Sequence, residues 1–243
     1  MTEKTPEPIE VLAVGAHPDD VELGVGGLVH KLTSQGRTVA IVDLTRGEMS
    51  SRGTVEEREG EAEAAAQVLG VAQRRNAGLP DGAIADETGQ QRALIPWIRA
   101  FRPRVLLAPM SNDRHPDHHA AHYLVRSANY FAGLTSIETG HEPYRAPRIY
   151  SYAPYMDERM PEFVVDVSGH FDAKTEALRA HASQFHNPEY DGPPTYIASA
   201  EFWQSIRTRA VYWGSRIGAE YGEPLFAQTP VAIAFPPGLE PNS

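Results

Sequence analysis

The sequence predicts a single α/β domain built on a Rossmann-like, open and mainly parallel sheet with helices on both faces. Three short apolar runs support this prediction, at residues 10–16, 38–45 and 104–109. They are rich in Val, Ile and Leu, which is typical of parallel strands covered on both faces. Helical patterns separate these runs. Repeated strand–helix–strand units of this kind are right-handed and build a doubly wound sheet.

Each further element follows from the same kind of pattern. The helical patterns between the strands cover residues 21–35, 54–70 and 88–101. The C-terminal part is less regular. Strands are expected there at 148–154 and 162–168, and helices at 171–185 and 199–219. We expect one domain over residues 9–235, with flexible tails at 1–8 and 236–243.

Charge and composition narrow the function. Lys and Arg number 22 against 32 Asp and Glu, so the formal charge is −10, and no long basic run interrupts it. Nucleic acid and anionic membranes are therefore disfavoured as partners. The absence of cysteine excludes disulfides and thiolate metal sites. The chain has no apolar run of about 18 residues and no secretory pattern, so we expect a soluble, cytoplasmic protein.

Two polar clusters follow predicted strands. "AHPDD", residues 16–20, comes at the end of the first strand, and "NDRHPDHHAAH", residues 112–122, comes directly after "RVLLAP". Ligands of doubly wound sheets bind beyond the carboxyl ends of the strands, so both clusters are expected at one edge. His17, Asp20 and one histidine of the second cluster would supply two imidazoles and a carboxylate. This set suits one zinc ion with a position open for water.

Other interpretations compete with the metal site. Taken alone, a His-Pro pair is usually a turn and an Asp-Asp pair is usually a helix cap. "LGVGG" lacks the spacing of a dinucleotide-binding loop. A non-haem iron oxygenase uses the same ligand types, although typically on a β-barrel. A sugar- or nucleotide-binding module without catalysis would not need Asp19 beside Asp20.

"AHPDDVELGVGG" together with "DRHPDHHAAH" strongly resembles the LmbE-like, or PIG-L, metal-dependent N-deacetylases. The resemblance continues through "LPDGAI" and "EALRAHASQF" and covers most of residues 9–220. Within the family it is closest to the BshB-type deacetylases of bacillithiol biosynthesis. It implies removal of the N-acetyl group from an N-acetylglucosamine conjugate. The substrate expected from this resemblance is N-acetylglucosaminyl malate. Other members act on other N-acetylglucosamine compounds or, as amidases, on thiol conjugates.

The resemblance also assigns roles to individual residues. It makes His17, Asp20 and His118 the ligands of one Zn²⁺ per chain, with Fe²⁺ as the alternative metal. Asp19 becomes the general base that takes a proton from the water. His115 is expected beside the metal, as an acid or an oxyanion donor, with Asp117 hydrogen-bonded to it.

Substrate contacts are expected from Arg58, Arg114 and Tyr196. Arg58 matches a family arginine that contacts substrate, and pairing with Glu61 on the same helix is its alternative. Tyr196 lies near a position where some members carry an oxyanion tyrosine and this chain carries Phe202. The resemblance further implies a homo-oligomer, a hexamer being plausible, and the apolar segment 223–235 gives this some support.

Overall fold

The protein is described here by a computed structural model covering residues 9–155 and 159–234; the tails expected at 1–8 and 236–243 lie outside these residues. Within them, one seven-stranded sheet has the order β3-β2-β1-β4-β5-β7-β6. The strands are β1 (Val11–Gly15), β2 (Val39–Asp43), β3 (Gln73–Asn76), β4 (Val105–Pro109), β5 (Arg148–Tyr152), β6 (Phe163–Asp166) and β7 (Gly222–Ala227). Strand β7 runs antiparallel to β5 and β6, whereas the other pairs are parallel. The predicted Rossmann-like fold is confirmed.

Helices cover both faces of the sheet. They are α1 (Asp20–Ser34), α2 (Val55–Val68), α3 (Thr88–Phe101), α4 (Pro116–Ala132), α5 (Phe171–Ala180) and α6 (Ala200–Ser215). Side chains alternate along each strand, so Ala13 and Ile41 face the core beneath α1, α2, α5 and α6. Leu12 and Val42 face the core beneath α3 and α4. None of the described helices has the length and apolarity needed to cross a membrane.

Helix α1 passes unusually close to the sheet. A Cβ placed on Gly24 would come within 2.2 Å of the Tyr152 ring, so only glycine fits there. The helix is interrupted at Val25, whose φ is −140°. The Glu223 carboxylate of β7 accepts the backbone N–H groups of Gly27 and Leu28 just after this break. The carboxylate thus satisfies donors that the interruption leaves without helical partners.

The elements differ from the sequence prediction in several places; the helix predicted over 199–219, for example, ends at Ser215. Strand β3 was not predicted, because the edge strand Gln73–Asn76 is polar and lacks an apolar pattern. Strand β7 lies in the late apolar segment, where Phe226 is fully buried between sheet neighbours. The helix predicted to extend to residue 185 ends at Ala180. Beyond it the chain turns, and the buried Ser183 donates its backbone N–H and its hydroxyl to the Glu61 carboxylate.

Candidate active site

The two polar clusters meet at the carboxyl ends of β1 and β4, which are parallel neighbours. The order in which the chain adds strands to the sheet reverses at this pair: β2 and β3 are added on the β1 side, and β5 is added on the β4 side. Such switch points are where open α/β sheets bind ligands. An open pocket of about 420 Å³ lies there. Its walls include His17, Asp19, Asp20, Met49, Ser50, Arg58, Asp81, His115, His118, Tyr155, Gln184 and Ile197.

The turn after β1 holds an unusual backbone conformation. Asp19 has φ 134°, in a region that L-residues rarely adopt, and its side chain does not cap α1. The neighbouring Asp20 carboxylate accepts the His17 backbone N–H at 2.8 Å, and the Asp19 carbonyl accepts the N–H of Leu23 at 2.9 Å. Conformations of this kind cost roughly 1–3 kcal/mol and cluster at functional sites. The strain falls on the predicted general base.

The structure brings the three predicted metal ligands together. The Asp20 carboxylate lies 3.5 Å from His17 Nδ1 and 3.0 Å from His118 Nε2. Ligand atoms at the corners of a tetrahedron with bonds of about 2.1 Å are separated by about 3.4 Å. Ring nitrogens of His17, His115 and His118 also lie within 4.8 Å of one another. The donor set therefore fits a divalent metal ion bound by His17, Asp20 and His118, with His115 adjacent.

His17 and His118, the two histidines predicted to bind the metal, each have carboxylates near the ring nitrogen that faces away from Asp20. Asp113 Oδ1 lies 3.0 Å from His118 Nδ1, while Asp81 and Asp117 lie 3.1 and 3.2 Å from His17 Nε2. Such carboxylates orient metal-binding imidazoles. The sequence prediction missed Asp113 and Asp81. Asp113 stands inside the second cluster and could have been found there. Asp81 lies in "LPDGAI", which shares in the family resemblance, but nothing in that stretch points to His17, 64 residues away.

This concentration of carboxylates dominates the electrostatics. Burial opposes a charge on His17, but hydrogen bonds to Asp117, Asp20 and Asp81 outweigh it and raise the pKa of His17 well above the usual value. Burial likewise opposes a charge on His118, but Asp20 and Asp113 raise its pKa to about 9. The site thus stabilises positive charge strongly, which a bound divalent cation would supply in place of protons.

Asp19 behaves differently from its neighbour. Burial raises the pKa of Asp19 to about 6, and the Arg58 guanidinium opposes this rise. Arg58 is buried, and it donates to the carbonyls of Gly47 and Pro18 at 2.8 and 3.0 Å. It also lies 3.4 Å from the Asp19 carboxylate. The alternative pairing of Arg58 with Glu61 is wrong; Arg58 instead holds the turn that carries Asp19.

In the turn after β4, the predicted hydrogen bond between the Asp117 carboxylate and the His115 ring is wrong. The Asp117 carboxylate contacts His17 and accepts the Gly82 N–H at 2.8 Å, so it does not bind the His115 ring as expected. It is the backbone N–H of Asp117 that reaches His115, donating to Nδ1 at 3.2 Å. With Nδ1 acting as an acceptor, the neutral His115 ring carries its proton on Nε2. His115 is therefore arranged as a hydrogen-bond donor through Nε2.

Aromatic residues surround the mouth of the pocket. The Arg114 guanidinium carbon lies 4.3 Å from the Tyr155 ring centre and 4.5 Å from that of Tyr196. Tyr196 is 59% exposed, whereas Tyr155 lines the pocket and stacks on His118 at 5.9 Å. Burial raises the pKa of Tyr155 to about 12, so its phenol stays protonated. Tyr155 is a site residue that the sequence prediction missed. The Tyr190 hydroxyl, in the loop that also carries Tyr196, accepts the backbone N–H of Gly53 at 3.0 Å.

Known proteins resemble this chain over most of its length. Residues 12–129 match the PIG-L family model, described as GlcNAc-PI de-N-acetylase. The diacetylchitobiose deacetylase of Thermococcus kodakarensis is 29% identical, over 95% of this chain and 84% of the relative. A 1D-myo-inositol 2-acetamido-2-deoxy-alpha-D-glucopyranoside deacetylase of Saccharopolyspora erythraea is 30% identical, over 73% of this chain and 78% of the relative.

Solved structures show the same likeness. A crystal structure of a conserved protein from Thermus thermophilus is 37% identical, covers 96% of this chain and 100% of its own, and superposes with a TM-score of 0.85. The match therefore includes the sheet, both polar turns and the irregular C-terminal part. By sequence, by fold and by the two turns that meet at the switch point, the chain belongs to the PIG-L, or LmbE-like, family of de-N-acetylases.

Proposed function

We propose that this protein is a metal-dependent hydrolase that removes the acetyl group from an N-acetylglucosamine compound. The observation that carries this proposal is the division between two consecutive carboxylates. Asp20 lies between His17 and His118, while Asp19 is held apart by Arg58 with a pKa of about 6. A binding module needs no such base. The family membership and the relatives' deacetylase names support the same activity.

His17, Asp20 and His118 would hold the metal ion, and we propose zinc, with ferrous iron as the alternative. When bound, such an ion lowers the pKa of water to about 7 and polarises a carbonyl group. Asp19 accepts a proton from the attacking water, for which a pKa near neutrality is well suited. The Arg58 guanidinium keeps the Asp19 carboxylate in place during this transfer.

His115 stabilises the charge that develops during attack. Its Nε2–H donates to the amide oxygen as the carbon becomes tetrahedral. The carbon–nitrogen bond then breaks, and the proton held by Asp19 passes to the departing nitrogen. The water oxygen ends in acetic acid and the sugar leaves as a free amine. The proton of the acetic acid then passes to the amine, so the products are acetate and an ammonium group, and atoms and charges balance. Within this scheme Asp117 acts on His17 and only through its backbone on His115.

We propose further that the preferred substrate carries an anionic aglycone, as N-acetylglucosaminyl malate does. Arg58 lines the pocket but is buried, and it already donates to the carbonyls of Gly47 and Pro18, so we assign the anion first to a second arginine. Arg114 is exposed at the mouth, is positioned by two tyrosine rings, and has no carboxylate within 4 Å in the described part of the chain. A guanidinium with this arrangement suits a carboxylate. The relatives' names favour neutral chitobiose or inositol glycosides as the alternative.

The test is an acetate-release assay on metal-loaded protein. It compares N-acetylglucosaminyl malate, diacetylchitobiose and the N-acetylglucosaminyl inositol. Release of acetate from at least one of them supports deacetylation, and no release from any amino sugar contradicts it. Arg114→Ala should lower kcat/KM for the malate compound by about tenfold or more and leave neutral substrates unchanged. Arg104→Ala, at an exposed position beside Glu10, is the matched control.

We also propose that the protein is a homo-oligomer, a hexamer being plausible. Within the apolar segment 223–235, Leu225 and Phe226 are buried in the sheet of a single chain, whereas Ile233 is 61% exposed. Support comes from exposed aromatic side chains at Tyr130 and Tyr212, which are 55% and 44% exposed. Light scattering at micromolar concentration should give a mass several times 26.7 kDa. A monomeric mass contradicts the proposal.

A further inference from the structure

The His17 imidazole faces carboxylates on two opposite sides. On one side, Nδ1 lies 3.5 Å from Asp20, whose carboxylate also contacts His118. On the other side, Nε2 lies 3.1 Å from Asp81 Oδ1 and 3.2 Å from Asp117 Oδ2. For Nδ1 to offer a lone pair toward Asp20 and His118, the proton of the neutral ring must be on Nε2. Whatever accepts that proton fixes the tautomer of His17.

The carboxylates of Asp81 and Asp117, which both lie near His17 Nε2, differ in their other hydrogen bonds. Asp117 also accepts the backbone N–H groups of Gly82 and Ile84, so it anchors the loop after β3. The remaining oxygen of Asp81 accepts the N–H of Met49 at 2.8 Å, and its Oδ1 faces His17 alone. Asp81 Oδ1 is therefore the oxygen available to accept a hydrogen bond from His17 Nε2.

Asp81 also links His17 to the mouth of the pocket. Met49, whose N–H it accepts, is 71% exposed and packs over Gly82. The Asp81 backbone N–H in turn donates to the Glu48 carboxylate at 3.0 Å. The loop of residues 46–50 and the loop after β3 are therefore joined at the residue that touches the metal ligand.

We propose that Asp81 is a positioning residue that fixes the tautomer and orientation of His17 for metal binding. This inference rests on the proposed metal-dependent function. It assigns a role to a residue outside both polar clusters. Loss of a carboxylate of this kind typically weakens metal binding by 10- to 100-fold.

The experiment measures the metal dissociation constant and stoichiometry directly, by zinc titration of metal-free protein in competition with a chromophoric chelator. Asp81→Asn should bind zinc about 10- to 100-fold more weakly, with one ion per chain at saturation. Asp86→Asn is the matched control, because Asp86 lies in the same loop and contacts Gln91 and Ser127. The control should bind zinc like the wild type.

Two results overturn the inference. An unchanged dissociation constant in Asp81→Asn shows that Asp117 alone orients His17. A wild type that binds two zinc ions, reduced to one in Asp81→Asn, shows that Asp81 is itself a ligand, since Asp81, Asp117 and His17 also lie at metal-binding distances. If the wild type binds zinc as expected but releases no acetate, the proposed reaction fails while the role of Asp81 stands.

Discussion

The turns after β1 and β4 perform related tasks with different backbones. After β4, His115 has φ −87°, its side chain caps α4, and Pro116 occupies the first turn of the helix. These are the usual features of a stable helix start. After β1, Asp19 occupies the corresponding cap position with φ 134° and forms no side-chain cap. One turn is relaxed, and the other is strained.

The difference between the two turns places the backbone strain at Asp19. Three polar residues after β1 have different partners. The Asp20 carboxylate contacts His17 and His118, the His17 ring lies 5.5 Å from the His118 ring, and the Asp19 carboxylate lies 3.4 Å from Arg58. The turn after β4 carries one proposed metal ligand, His118, and a regular helix start is enough to position it. The strain at Asp19 thus reflects two carboxylates in sequence that must act on different partners.

Replacing a proposed metal ligand in either turn should have the largest effect. His17→Ala and His118→Ala should each lose the stoichiometric metal ion, because three ligands become two. Metal analysis after gel filtration measures this. His119→Ala is the control, since that exposed ring contacts only the carbonyl of Ser111 among its hydrogen-bond partners in the described chain. Full metal content in either ligand variant would refute the assignment.

Neutralising the strained residue should separate binding from chemistry. Asp19→Asn keeps the size of the side chain and removes its basicity, so metal content should stay at the wild-type level. Activity should fall by about 10²- to 10⁴-fold, as for a general base. Asp191→Asn, an exposed change in the late loop, should leave activity intact. Activity near the wild-type level in Asp19→Asn would mean that another group activates the water.

The relaxed turn should tolerate change more readily. Asp113→Asn keeps an oxygen that can accept the His115 backbone N–H at its present 2.8 Å, but it removes the charge opposite His118. Zinc affinity should fall by about 10- to 100-fold, and saturating zinc should restore activity. Activity that stays low at saturating zinc would indicate a role for Asp113 in the reaction itself.

The strain itself can be measured by exchanging glycine and alanine. In metal-free protein, Asp19→Gly should be more stable than Asp19→Ala by about 1 kcal/mol or more, because glycine adopts a positive φ without cost. At His115, which is also an N-cap but has an ordinary φ, glycine should exceed alanine by less, because only the usual N-cap preference remains there. Urea unfolding gives both differences. Equal differences at the two positions would show that Asp19 is not strained.

Much of the fold could be predicted because buried parallel strands are continuous apolar runs. Strands β1, β2 and β4 were found within two residues of their ends, and their adjacency placed both polar clusters at one edge. Strand β3 could not be predicted, because the side chains of this edge strand are largely exposed and polar and so form no apolar run. The end of α5 was misplaced because His181 and Ser183 continue a helical pattern although tertiary contacts with Glu61 turn the chain.

By itself, the sequence determined the sheet, its polar edge and the identity of the chemical groups, because these depend on residue type and local order. Only the tertiary structure decided which partner each group takes. It moved Asp117 from His115 to His17, placed Arg58 behind Asp19, and brought Asp81 to His17 across 64 residues. Contacts between distant segments depend on how strands and loops pack, and a local pattern carries no record of that packing.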